Sequence, residues 1–256
     1  MSFKVAIPSY KRSNAIADKT LATLRRGGVA LSDIYIFVVH DEQEAYQRAC
    51  PGYQIIVGLK GLIEQRAFIQ GFFSEQDTIL MIDDDIEEIF RPIDARTKQE
   101  ISDIPNLISE MKMRMAAEGV TIAGIYPCSN LKFALGNKEI TTDFKFLVGA
   151  MYLIKNIRCP ELQLDPSDPS TLEDKVRTIK YYQKEGKCLR FNWVQIKTKF
   201  FTNAGGLWSS ERMKEHAAAA EAVCLRFPQY LRLVVSKKKT DAKFKKIKST
   251  PQKLNE

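Results

Sequence analysis

Apolar positions along the first third of the chain alternate between two patterns. Short apolar runs at residues 4–8, 35–39, 54–57 and 78–82 have the length and β-branched content of buried strands. Between them, residues 14–26, 42–49 and 62–73 place apolar side chains three and four apart, the spacing of amphipathic helices. This βαβα order predicts an α/β domain whose mainly parallel, open sheet is flanked by helices on both faces. Ligands of such sheets bind beyond the carboxyl ends of the strands, which here gathers the loops after Ile7, Val39 and Ile82 into one crevice. The second half is less regular. Its pattern predicts helices at 104–118, 172–185 and 209–226 and strands at 121–125, 144–154 and 193–201, with no internal repeat.

Charge changes the picture only at the C-terminus. The formal net charge is +8, yet residues 236–256 alone hold eight lysines against Asp241 and Glu256. The expected organisation is therefore one catalytic domain over 1–235 and a lysine-rich tail over 236–256. The tail is suited either to polyphosphates such as double-stranded DNA or to plain solvation. Five scattered cysteines lack the spacing of a zinc site and read as reduced thiols. Met1 leads into the first strand without the features of a secretory signal, and no apolar run approaches the roughly 20 residues needed to cross a bilayer. The expected setting is cytoplasmic, a host cytoplasm if the protein is viral, with no membrane partner.

Chemistry concentrates where the 78–82 strand ends in Asp83, Asp84 and Asp85. Apolar residues that require burial deliver three like charges to one strand end, which is costly without a cation. Strand alternation puts Asp83 and Asp85 on one side, as ligands for Mg²⁺ or Mn²⁺, and turns Asp84 the other way, toward a donor ribose. An N-cap and solvated acidic turn would use the same residues, although a cap needs only one carboxylate. Pro8, Ser9, Tyr10 and Arg12 form a polar, basic loop after the first strand that suits a nucleotide. Arg66 is placed either against a diphosphate or in a surface ion pair with Glu64. Glu173 and Asp174 open a helix as a candidate general base or as ordinary helix-start carboxylates. Gly205 and Gly206, with Trp208, form a loop that a ligand can approach closely, and His216 is a metal-ligand candidate or a plain surface histidine.

Taken in order, residues 7–12 (IPSYKR), Asp41 after the second strand, 61–67 (GLIEQRA), 82–85 (IDDD), 146–155 (FLVGAMYLIK) and 171–175 (TLEDK) resemble a GT-A-fold glycosyltransferase. The resemblance implies a UDP-sugar donor held by Pro8, Ser9, Tyr10, Arg12 and Asp41. It also implies a D-x-D pair, Asp83 and Asp85, on metal and diphosphate, and Asp174 with Glu173 as the base of an inverting reaction. The second strand ends His40-Asp41-Glu42 rather than in the more usual double-aspartate turn. A narrower similarity is to phage-type transferases acting on hydroxymethylpyrimidines, which implies 5-hydroxymethylcytosine in DNA as acceptor. A glycan or protein acceptor, a nucleotidyl or phosphoryl transferase, and a non-catalytic nucleic-acid binder using its lysines are the rival readings. The absence of a G-x-x-x-x-G-K-[ST] loop counts against the second of these.

Overall fold

The computed structural model describes residues 2–198, 210–236 and 240–247. Its strands are β1 (Lys4–Pro8), β2 (Ile34–Val38), β3 (Gln54–Val57), β4 (Thr78–Ile82), β5 (Glu88–Pro92), β6 (Lys98–Glu100), β7 (Ile122–Ile125), β8 (Ile140–Thr141), β9 (Met151–Lys155), β10 (Leu189–Phe191), β11 (Gln195–Lys197), β12 (Leu231–Val235) and β13 (Thr240–Phe244). The helices are α1 (residues 13–26), α2 (Gln43–Ala49), α3 (Leu62–Phe72), α4 (Ile104–Glu118), α5 (Leu131–Leu135), α6 (Glu173–Glu185) and α7 (Ser210–Arg226).

Eight strands form the main sheet in the order β3-β2-β1-β4-β9-β7-β10-β8. The run β3-β2-β1-β4 is parallel, as the alternation predicts, and β9 enters antiparallel between β4 and β7. Both faces are buried. Val5, Ile7, Leu80 and Ile82 pack with α1 and α4, while Ala6, Ile79 and Met81 pack with α3 and α6. Alternate residues of each strand thus serve opposite layers, which is why these strands read as continuous apolar runs. A second sheet, β11-β5-β6, stands beside the carboxyl end of β4. No helix among the described residues is long and apolar enough to cross a membrane.

Three elements differ from the sequence expectation. The strand expected over 144–154 begins only at Met151, because the backbone before it is taken up by α6: the Leu147 amide donates to Thr178 Oγ1 at 3.2 Å. The strand expected over 193–201 is represented among the described residues only by the short β11 (Gln195–Lys197), in the second sheet, while a separate strand not expected from sequence, β10 (Leu189–Phe191), precedes it in the main sheet; residues 199–209 lie outside the described residues. The third difference is in the tail. β12 and β13 pair antiparallel, one on each side of the expected boundary at 235/236. Ala242 is fully buried and Phe244 lies edge-on to Phe144 at 5.1 Å, so residues 240–244 are packed structure rather than a solvated tail. The lysines around them hide the alternation of Ala242 and Phe244 from a reading of composition.

Candidate active site

β4 carries the acidic triplet to the sheet's carboxyl edge, and a threonine clamp from α1 fixes the loop that follows. Helix α1 is interrupted by a π-helical stretch, Ala17–Leu21. Inserted turns of this kind recur at functional sites. Here the stretch includes Thr20, whose hydroxyl donates to the Asp83 carbonyl at 2.8 Å and accepts from the Ile86 amide at 2.9 Å. Thr23 donates to the Ile86 carbonyl one turn further on. Antiparallel β9 then brings a second segment alongside: the Asp83 amide donates to the Ala150 carbonyl at 2.9 Å, which sets Gly149 beside the triplet.

Asp84 does not face a donor. It is 5% exposed, accepting from Ser9 Oγ at 2.5 Å and from Arg12 Nη1 at 2.6 Å. The expectation that it meets a ribose is corrected by this burial, since a carboxylate turned into the protein needs a cation and Arg12 supplies one. Burial nevertheless raises the Asp84 carboxyl above its ordinary range, against the pull of Arg12. Arg12 also reaches Asp85 at 3.2 Å, and Thr198, just past β11, donates to the other Asp85 oxygen at 2.8 Å. The opening loop is held in turn from α2: Tyr46 Oη accepts from the Arg12 amide at 3.1 Å and lies 2.7 Å from Ser9 Oγ. Glu42 accepts from the amide of Lys11, whose φ of 57° is left-handed and rare for a residue with a side chain. Glu42 therefore engages the opening loop, whereas the Asp41 side chain is 97% exposed beside His40.

Asp83 lines the crevice with 37% of its side chain exposed. Burial between the crevice walls, opposed by Arg66 and reinforced by Asp85, Asp84 and Glu173, pushes its carboxyl up to about 7. Arg66 is not a surface residue. It is buried, donating to the Gly149 carbonyl at 3.0 Å, to Asp83 at 3.4 Å and, through Nη1, to Glu173. Glu173 receives a second guanidinium, Arg177 Nη1, at 2.6 Å, and Arg177 lies over the Tyr152 ring at 3.9 Å. Glu173 is thus saturated by two arginines. Its neighbour Asp174 accepts, among the described residues, only a long hydrogen bond from the Gly149 amide, 3.3 Å. Burial, followed by the adjacent charge of Glu173, raises the Asp174 carboxyl. Gly149 has room for no side chain: a Cβ there would stand 2.8 Å from Glu173 Oε1, 3.2 Å from Arg66 Nη1 and 3.3 Å from Asp174 Cβ.

The structure thus joins the triplet, Ser9, Arg12, Arg66, Glu173 and Asp174 at one edge of the sheet, with Pro8 and Tyr10 at its rim. His216 belongs to a different cluster, on α7, where its Nε2 lies 3.3 Å from Asp241 of β13. Among the described residues no three His, Cys, Asp or Glu side chains gather as metal ligands, so His216 is not brought to Asp83 and Asp85 there. Gly205, Gly206 and Trp208 lie outside the described residues. Arg177, Thr20, Tyr46, Thr198 and Gly149 were not singled out from sequence. Of these only Arg177 had a legible signal, its place four residues after Glu173 on a helix.

Among solved structures, S. aureus TarS 1–349 in complex with UDP is 11% identical over 89% of this chain and 72% of that chain, with a TM-score of 0.50. Glucosyl-3-phosphoglycerate synthase from Mycobacterium tuberculosis, in complex with Mn²⁺, UDP and glucosyl-3-phosphoglycerate, is 11% identical over 91% and 84%, at 0.48. The mannosyltransferase PcManGT from Pyrobaculum calidifontis, in complex with GDP-Man and Mn²⁺, is 13% identical at 0.45. It covers 70% of this chain, which spans about half (52%) of that protein. The likeness to TarS is one of fold, the GT-A arrangement. No curated protein matches the sequence. A family model does match, over residues 3–206, a span that takes in the opening loop, the triplet and α6, and the chain belongs to the TET-associated glycosyltransferase family.

Proposed function

We propose that the protein transfers a sugar from a UDP-sugar to the hydroxymethyl oxygen of 5-hydroxymethylcytosine, or of another hydroxymethylpyrimidine, in double-stranded DNA, phage DNA in a host cytoplasm being the setting. The observation that carries the reading is the convergence of Asp83 and Asp174 through Arg66, Glu173 and Gly149. It sets a carboxylate suited to a diphosphate-bound cation close to a carboxylate suited to proton abstraction. TarS, which shares the fold, was crystallised with UDP, in keeping with a uridine donor. The lysine-rich C-terminal segment favours a polyanionic acceptor.

A divalent ion, Mn²⁺ or Mg²⁺, would be held by Asp83 and Asp85. The donor set fits it: hard carboxylate oxygens, only two of them, leave the remaining positions to phosphate and water, as these ions favour. Burial raises the Asp83 carboxyl against the pull of Arg66, and the neighbouring charges of Asp85, Asp84 and Glu173 add to the rise, a local excess of negative charge that a cation would offset. The 3.2 Å contact of Arg12 with Asp85 is longer than its 2.6 Å contact with Asp84, and is the one that an arriving cation would replace. When bound, the ion supplies positive charge against the departing diphosphate.

The protein's own residues do the rest. Tyr10, half-buried with Lys11 Nζ 5.2 Å from its ring, offers a face to the base of the donor. Asp174, whose carboxyl burial raises above its ordinary range and which accepts a 3.3 Å hydrogen bond from the Gly149 amide, takes the proton of the acceptor hydroxyl. That oxygen then forms its bond to the anomeric carbon as the carbon–oxygen bond to UDP breaks, with inversion. Glu173, saturated by Arg66 and Arg177, positions the site rather than accepting a proton. A nucleotide-release assay with Mn²⁺ or Mg²⁺, a panel of UDP- and GDP-sugars, and duplexes with or without 5-hydroxymethylcytosine tests this. Release stimulated by the modified duplex and lost in Asp83→Ala is expected. Release indifferent to DNA would remove the acceptor assignment, and no release from any donor would overturn the reading.

A further inference from the structure

The residue after the proposed base ties the site to the C-terminal hairpin. Lys175 Nζ donates to Asp241 Oδ1 and to the Ala242 carbonyl, both at 2.6 Å, and so fixes β13 against the first turn of α6. One face of the hairpin, with Leu231, Ala242 and Phe244, enters the core. On the other face Arg232 and Lys243 stand directly opposite in register and both are exposed. Lys245 and Lys246 continue the exposed basic surface beyond β13. Like charges directly opposed across a strand pair weaken it, and a two-stranded hairpin has little stability of its own to give up. Asp241, the sole carboxylate of the two strands, shares the face of Arg232 and Lys243 by strand alternation, but its charge is engaged by Lys175 and lies beside His216. The arrangement therefore works against the hairpin and in favour of a polyanion laid across it.

We propose that this face of the β12–β13 hairpin docks the phosphate backbone of duplex DNA and so presents the acceptor base to Asp174, an inference that rests on the DNA-acceptor reading above. Removing residues 236–256 would not test it, because that deletion also removes β13 and uncovers Leu231 and Phe144. The test is the full-length Arg232→Gln/Lys243→Gln protein beside the wild type, titrated onto a labelled hydroxymethylated duplex over a range of salt by fluorescence anisotropy. Each phosphate contact contributes about 0.9 to the slope of log affinity against log salt, so the double variant should lose about 2 from that slope. Its KM for duplex should rise roughly tenfold at physiological salt, with kcat and donor KM unchanged. Its melting temperature should not fall, since a repulsion has been removed. An unchanged slope in a variant whose wild type shows hydroxymethyl-dependent release overturns the hairpin assignment alone. A wild type that binds no duplex overturns both. A reduced slope without hydroxymethyl-dependent release supports the hairpin as a DNA contact and overturns the acceptor.

Discussion

Gly149→Ala isolates the geometry on which the site depends. The φ of Gly149 is outside the left-handed region, so alanine can adopt its backbone conformation and only space opposes the change. The added Cβ would stand 2.8 Å from Glu173 Oε1, about half an ångström inside ordinary contact, with Arg66 Nη1 and Asp174 Cβ at 3.2 and 3.3 Å. Carboxylate oxygens usually yield, but this one is held by Arg66 on one side and by Arg177 at 2.6 Å on the other. Overpacking of this kind costs about 1–3 kcal/mol, which for a chain of this size lowers the melting temperature by roughly 3–10 °C. The larger effect should be on turnover. Displacing Asp174 and Arg66 by a fraction of an ångström misaligns the base and the partner of Asp83, a change worth on the order of 10²-fold in kcat. Gly27→Ala is the control, because the atoms nearest its Cβ belong to Ile104, on α4 and not among the site residues. It should cost stability and spare kcat. Steady-state sugar transfer with scanning fluorimetry reads both, and Gly149→Ala with kcat within threefold of wild type would refute the argument.

Four other outcomes follow from the same contacts. Arg177→Met leaves Glu173 with Arg66 alone and should destabilise by about 3–5 kcal/mol in denaturant titrations. Adding Glu173→Gln should cost less than the sum of the two single changes, because both act on one pair. Glu185, which accepts from the Thr121 amide and hydroxyl, is pushed by burial to about 7 from 4.5. The folded state therefore holds the proton more tightly, and this group's contribution, full below 4.5, is lost as pH rises toward 7. Glu185→Gln should add about 1–3 kcal/mol at pH 8 and nothing at pH 4, and equal effects at both would contradict the assignment. Because a cation must displace the proton of Asp83, Mn²⁺ affinity should climb about tenfold per pH unit up to about 7 and then level, whereas a flat titration from pH 5.5 to 8 would discard Asp83 as a ligand. Asp174→Asn should bind donor normally and transfer no sugar, and substantial residual transfer would place the base elsewhere.

The parts of this molecule that could be read from sequence are those decided by local patterns. The run at 78–82 had to be a buried strand, and three aspartates at its end had to lie at a ligand-binding edge. Helix α6 could be placed to within a residue, because its periodicity and its acidic first turn agree. What could not be read was which charges compensate which. Arg66 lies 107 residues from Glu173, and Arg12 lies 72 from Asp84. Their pairing follows from β9 entering antiparallel beside β4, which brings Gly149 to the triplet, and from a π-helical stretch that no propensity predicts. The same limit explains the tail. Eight lysines dominate the composition of residues 236–256, while the structure of its described part, 240–247, is decided by Ala242 and Phe244, alternate residues that reach the core. Composition counts charges, but topology assigns them. Here topology commits Arg12, Arg66 and Arg177 to carboxylates within the site and leaves Arg232 and Lys243 facing each other on the surface.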